Sequence, residues 1–177
     1  MYYKSSYTSP LGQMTIMSND QAIKGLWFSD QRYFGGKYDL QAMIEGETPV
    51  IMQVKNWLDA YFAGENPTLD PNVLDPEVTP YRKEILNALI NVPYGQTTSY
   101  KALADKVALN TPGKRGSARA AGGAVGHNPI SILIPCHRVV ATNGALTGYA
   151  GGIDRKIALL ALEGFDKFKL DNHRVQV

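Results

Sequence analysis

Short runs of alternating apolar and polar residues open the chain, from Tyr2 to Tyr7, Gln13 to Met17 and Ala22 to Phe28, with Ser9-Pro10-Leu11-Gly12 and Asn19-Asp20 between them. Alternation at period two, broken by turn formers, predicts a small antiparallel sheet. The pattern then changes: from Ile51 to Phe62 the apolar residues Val54, Trp57, Leu58, Tyr61 and Phe62 recur at helical spacing, and Gly64 supplies a stop. One amphipathic helix is expected to pack on the sheet. Between Asn66 and Pro80, four prolines (Pro67, Pro71, Pro76 and Pro80) sit among acidic and polar residues and sustain neither a helix nor a central strand. A domain boundary is placed there, giving parts 1–78 and 79–177.

Beyond it the periodicity is helical. Tyr81 to Val92 carries Ile85, Leu86 and Leu89 on one face, Thr98 to Val107 reads as a second helix, and Ser117 can cap a third, Ala118 to Val125, after the turn-rich loop 110–116. The pair resembles a helix-turn-helix with a long connection. Its last helix is unusual, because Gly122 and Gly123 each cost about 1 kcal/mol relative to alanine in a helix interior. Close approach of another backbone, or tight packing inside the fold, would each explain them. Ser131 to Ile134 reads as a short apolar strand. The final helix, Ile153 to Leu162, offers Ile157, Leu160 and Ala161 for burial.

Composition changes this picture in two ways. With 177 residues and 44% hydrophobic content the chain can bury a proper core, and neither the polar, aromatic stretch Met1 to Pro10 nor any later run resembles a membrane span. A soluble, cytoplasmic protein with no membrane partner is expected. The net charge of +2 divides unevenly: five Lys/Arg against ten Asp/Glu in 1–78, thirteen against six in 79–177. A basic second half fits a polyanionic partner or a solvated surface, and charge alone does not choose.

The one cysteine excludes an internal disulfide and, with three histidines, a cysteine-rich zinc site. Cys136 stands where regular structure ends, in Pro135-Cys136-His137-Arg138-Val139-Val140. A thiol with a pKa of about 8.5 is only a few per cent ionised at neutral pH, so a nucleophilic role needs a base or a positive charge nearby. His137 and Arg138 are candidates. Adjacent residues of a strand face opposite sides, so either Pro135 bends the chain or His137 acts through water. An inert buried thiol fits the same triplet. Glu163, at the carboxyl end of the last helix, is disfavoured by the helix dipole, so it is either an exposed glutamate that tolerates the cost or one compensated by a partner such as His137.

These residues recur in a set of motifs. Pro93-Tyr94-Gly95, Thr98-Ser99-Tyr100, Ala118-Arg119-Ala120, Gly122-Gly123-Ala124, Asn128-Pro129, Ile134-Pro135-Cys136-His137-Arg138-Val139-Val140, Gly148-Tyr149-Ala150-Gly151-Gly152 and Leu159-Leu160-Ala161-Leu162-Glu163-Gly164 follow one another in order. So arranged, the chain closely resembles the O6-alkylguanine-DNA alkyltransferases, the methylated-DNA-protein-cysteine methyltransferases. The first half matches through Ser9-Pro10-Leu11-Gly12 and Leu58-Asp59-Ala60-Tyr61-Phe62-Ala63-Gly64-Glu65.

The resemblance implies an α/β fold in two parts: an amino-terminal, ribonuclease H-like small sheet with helices, and a mostly helical part with the helix-turn-helix and the cysteine. It implies DNA repair by irreversible, stoichiometric transfer of the alkyl group of O6-alkylguanine to Cys136, the base being flipped from the duplex. His137 would take the thiol proton through a water, Glu163 would orient the imidazole, and Tyr100 would meet the flipped base and donate to the leaving guanine. Val139, Tyr149 and Ala150 would wall the pocket, Asn128 would act as a structural hinge, and Arg119 would intercalate while its helix lies in the minor groove. Lys101 and Thr142 are candidates for phosphate contacts. No cofactor and no metal are implied, and the partner is double-stranded DNA, met by a monomer. The stretch Leu109 to Arg115 is longer than is usual in the family, with Lys114 and Arg115 expected to add phosphate contacts. Rival readings are a non-enzymatic sensor of alkylated DNA, a triad hydrolase, and a sequence-specific regulator.

Overall fold

A computed structural model describes residues 1–109 and 117–175 and divides the chain into two compact units, Met1–Glu77 with Pro129–Ser131, and Val78–Asn128 with Ile132–Val177. The excursion at Pro129–Ser131 is one that a single boundary in the sequence does not capture. Lys114 and Arg115 lie outside the described residues.

In the first unit, β1 (Tyr3–Ser9), β2 (Gly12–Ser18) and β3 (Ile23–Phe28) form the expected antiparallel meander, and the two-residue β4 (Ile44–Glu45) adds in parallel to β1, giving the order β3-β2-β1-β4. Helix α1 (Pro49–Phe62) packs on β1 and β2 through Val50, Ile51, Val54, Leu58 and Tyr61. Every residue of β3 is buried, and its outer edge is taken by single bridges from Leu26 to Ile130 and from Ile23 to Leu74. The edge is thereby covered rather than left as a template for pairing. The proline-rich segment is tied back by Lys24 to Asp75 and by Tyr2 and Tyr38 to Glu77.

In the second unit α2 (Pro80–Ile90), α3 (Tyr100–Leu109) and α4 (Ala118–Gly126) pack on one another, followed by β6 (Val139–Val140), α5 (Ile153–Leu162) and α6 (Lys167–Asp171). Thr48 caps α1 and Thr79 caps α2, each accepting from the backbone N–H three residues on, so Pro49 and Pro80 are first-turn residues. Proline is well suited there, lacking an N–H that would have no helical partner. Helix α1 therefore begins two residues before the expected start, and Pro80 opens a helix rather than closing a linker. Thr98 and Ser99 are not helical; they form β5, parallel to β6, and Ser99 accepts from Ala102 at the start of α3.

The expected strand Ser131–Ile134 is absent. The segment is a series of turns in which Ile132 takes φ 68°, a left-handed conformation no strand contains. Its continuous apolar character reflects burial of Ile132, Leu133 and Ile134, which a short run cannot distinguish from strand. Helix α5 also lies rotated from the expected face: Lys156, Leu159 and Leu160 are buried, while Ile157 and Ala161 are partly buried against Val140, Leu160, Leu170 and Val175. Among the described residues, no helix is long and apolar enough to cross a membrane.

Candidate active site

The site grows out of a bend. Pro135, at φ −79° and ψ 64°, lets Cys136 N donate to Ile134 O at 2.7 Å, an inverse γ-turn, and a single 3-10 turn over Cys136–Arg138 follows. The chain thus bends at Pro135, and the cysteine and its two successors are all buried. Asn128 fixes the approach, its side-chain amide donating to Ile134 O at 2.9 Å from a buried position.

Glu163 ends α5 and receives donors from three directions. His137 Nε2 lies 2.6 Å from Oε2, Arg138 donates through Nε at 2.8 Å and Nη2 at 3.1 Å, and Gly95 N donates at 3.0 Å. Burial pushes the carboxyl up, but His137 and Arg138 outweigh it and hold the value at about 2. An ionised carboxylate only accepts, so Nε2 carries the imidazole proton and Nδ1 the lone pair. Burial lowers the His137 pKa despite Glu163, keeping the ring neutral and able to act as a base. The Pro93-Tyr94-Gly95 motif serves this end: Gly95 turns at φ 76° to present its N–H to Glu163, and Tyr94 donates to Leu162 O at 3.2 Å. Arg138 also donates to Val92 O at 2.7 Å.

Cys136, 5% exposed, borders a cavity of about 220 Å3 lined with Tyr100, Gly122, Val125, Gly126, Gly148, Tyr149 and Ala150. Burial raises the thiol pKa; hydrogen bonding from Asn128 and Tyr149 and the charge of Lys156 oppose that rise. Lys156 is completely buried, and its Nζ donates to Val139 O at 2.6 Å and to Thr147 O and Oγ1, both at 3.4 Å. Burial lowers its pKa to about 8, against the pull of Cys136. Tyr100 Oη and Thr147 Oγ1 are hydrogen-bonded at 2.6 Å.

The structure therefore brings Cys136, Tyr100, Tyr149 and Ala150 to one cavity and joins His137 to Glu163. Val139 is not among the residues lining that cavity; it is fully buried in β6, its carbonyl held by Lys156. Arg119 is exposed in the first turn of α4, Lys101 is exposed and paired with Asp105 at 2.6 Å, and Thr142 is exposed beside an open depression with Thr97, Thr98 and Ser99.

Two domains of one known family together match nearly the whole chain. Residues 1–76 match the ribonuclease-like domain of 6-O-methylguanine DNA methyltransferase, and residues 80–165 match its DNA binding domain. The chain belongs to the 6-O-methylguanine DNA methyltransferase family. It is 39% identical over 163 residues to the methylated-DNA–protein-cysteine methyltransferase of Mycobacterium tuberculosis strain H37Rv, covering 92% of this chain and 93% of the relative. The enzyme of that name from Methanosarcina acetivorans is 37% identical over 167 residues, covering 93% and 99%. Among solved structures, the Mycobacterium tuberculosis OGT in complex with DNA superposes with a TM-score of 0.79 at 38% identity, over 91% of this chain and 92% of that one. The O6-methylguanine-DNA methyltransferase of Pyrococcus kodakaraensis gives 0.62 at 27% identity, over 93% and 99%.

Three residues take roles in the structure that the sequence does not reveal. Arg138 entered only as a possible neighbour of the thiol, and it is instead a two-pronged partner of Glu163. Lys156 and Thr147 stand out in no sequence motif. A signal for Lys156 exists, because it precedes Leu159 and Leu160 by three and four residues and Glu163 by seven, which sets a charged residue on the buried stripe of α5.

The pH dependence of stability follows from Glu163. Its folded pKa of about 2 lies below the ordinary 4.5, so the unfolded chain binds more protons between the two. The stabilisation is complete above about pH 4.5 and is lost as pH falls towards 2. Urea unfolding should show a free energy that declines through this window, more steeply in the native protein than in Glu163→Gln; parallel profiles would contradict the assignment.

Proposed function

We propose that this methyltransferase repairs DNA by direct reversal, moving the alkyl group of O6-alkylguanine onto Cys136 in one irreversible step. The observation that carries the reading is a buried thiol at the wall of an open cavity, followed directly by a neutral imidazole anchored on an ionised carboxylate. His137 Nδ1 takes the thiol proton through a water, and Glu163 stabilises the imidazolium that forms. The thiolate attacks the alkyl carbon as the bond to O6 breaks, and the electron pair leaves with the guanine. Tyr100 donates a proton to a ring nitrogen of that guanine, lowering the barrier to its departure. Tyr149 and Ala150 enclose the base, with the Ala150 N–H near its oxygen, and Asn128 holds the bend that presents the sulfur.

A thioether has no carbonyl for water to attack, so the protein is consumed. Incubation with excess duplex containing O6-methylguanine is expected to restore one equivalent of guanine per protein and then stop. Continued release would point to a turnover enzyme instead.

Reaching the cavity requires the nucleotide to leave the duplex at a cost of a few kcal/mol. The DNA side is read from α4. A Cβ at Gly123 or Gly126 would meet nothing within 4 Å, so these glycines do not answer to packing inside the protein. They leave a bare surface on which a minor groove and its backbone can rest, with exposed Arg119 entering the stack to offset the lost base. Lys101 and Thr142 position phosphates. The protein acts as a monomer in the compartment that holds the DNA, which we read as the cytoplasm. Arg119→Ala should slow transfer from duplex about tenfold or more, while transfer from the free O6-benzylguanine base, which needs no flipping, stays unchanged. Equal losses on both substrates would remove Arg119 from this role.

A further inference from the structure

A proton on Tyr100 is useful only if it points into the cavity, and the phenol has a competing neighbour. Its oxygen is hydrogen-bonded to Thr147 Oγ1 at 2.6 Å, and that contact is satisfied with either oxygen as donor. If Tyr100 donates to Thr147, no proton faces the base. A buried cation one step further in biases the direction. Lys156 Nζ lies 3.4 Å from Thr147 Oγ1 and also reaches Val139 O and Thr147 O, and an ammonium has donors but no acceptor. Thr147 Oγ1 accepts from Lys156 with one lone pair, and a cation on that side turns the hydroxyl hydrogen away from it, towards Tyr100.

We propose that Lys156 and Thr147 are positioning residues for the transfer, forming a one-way relay in which Lys156 N–H donates to Thr147, Thr147 O–H donates to Tyr100, and the Tyr100 proton is directed into the cavity. The inference rests on Tyr100 being the donor to the leaving guanine. In the step itself the sulfur–carbon bond forms, the carbon–O6 bond breaks, and the Tyr100 proton passes to the guanine nitrogen. The phenolate left behind accepts from Thr147 with a buried cation behind it, and it is neutralised through solvent by the proton first taken from the thiol. Burial raises the Tyr100 pKa, and the hydrogen bond to Thr147 opposes that rise. The Lys156 ammonium thus bears on both partners of the displacement: it sits on the relay to Tyr100 and its charge favours the Cys136 thiolate.

The test separates leaving-group assistance from thiol reactivity. Single-turnover rates at saturating duplex would be measured for Thr147→Val, Thr147→Ser, Tyr100→Phe and Tyr100→Phe with Thr147→Val. Alkylation of Cys136 by methyl iodide, whose leaving group needs no proton, would be measured in parallel. Thr147→Val is expected to slow transfer from O6-methylguanine about ten- to a hundredfold, Thr147→Ser to restore it to within about twofold, and neither to alter the methyl iodide rate. In the Tyr100→Phe background, Thr147→Val should cost nothing more, because the proton it orients is gone. The relay is overturned if Thr147→Val matches the native rate while Tyr100→Phe is slow, if its loss persists undiminished in the Tyr100→Phe background, or if methyl iodide is slowed equally. Native rates for Tyr100→Phe would overturn the donor role of Tyr100 itself, and the relay with it.

Discussion

Cys136→Ser is expected to bring alkyl transfer below detection while leaving DNA binding within about twofold of the native protein, since phosphate contacts supply most of the affinity. The serine oxygen would stand in the same 3-10 turn, 5% exposed at the edge of the same cavity, with Asn128 and Tyr149 hydrogen bonding towards it. What changes is the nucleophile. A hydroxyl ionises far less readily than a thiol, and a neutral His137 paired with Glu163 is too weak a base to generate an alkoxide for attack on an unactivated alkyl carbon. The variant should therefore hold the lesion without repairing it. Gel-shift titration and single-turnover assay on the same preparation check both halves; residual transfer at a measurable rate would mean that another group accepts the alkyl.

Glu163→Gln is expected to act on stability and rate together. The carboxylate is fully buried as a side chain and answers His137, both prongs of Arg138 and the Gly95 N–H. An amide supplies one acceptor oxygen where two now serve, and its NH2 meets donors that have nothing to accept. Arg138, with 10% of its side chain exposed, loses its counter-charge. Removing one partner of a buried pair typically costs about 3–5 kcal/mol, because the other charge stays behind. The imidazole also loses the anion that fixes its tautomer, and general-base assistance is worth about 10²- to 10⁴-fold in rate. Urea unfolding and single-turnover kinetics should both report the loss. Glu163→Asp keeps the charge and should fall between; a Glu163→Gln protein of native stability would show that the cluster is not the anchor described.

Much of this was legible in the sequence where local rules and tertiary demands agree. The three-strand meander followed from short alternating runs between turn formers, and α1 from the spacing of Val54, Leu58 and Tyr61, which line its buried face. Glu163 drew notice because a carboxylate at a helix C-terminus needs compensation, and the structure supplies it from His137, Arg138 and Gly95. Legibility failed where a residue type has two meanings. Pro80 reads as a breaker and is a helix start, decided by the capping threonine before it. Ser131 to Ile134 read as strand because apolar runs signal burial, and the turn at Ile132 has no signature in side-chain type. Lys156 was missed because a lysine on a helix is ordinarily solvated, and its burial is set by Val139 and Thr147, which arrive from another part of the second unit.

The central claim is that Cys136 itself receives the alkyl group. Intact mass and peptide mapping after mixing the protein with a duplex carrying one O6-methylguanine test it most directly. The expected result is a protein heavier by one methylene, with the added mass confined to the peptide containing Cys136. Binding without a change in mass would contradict the account and leave a sensor of alkylated DNA in place of a repair enzyme.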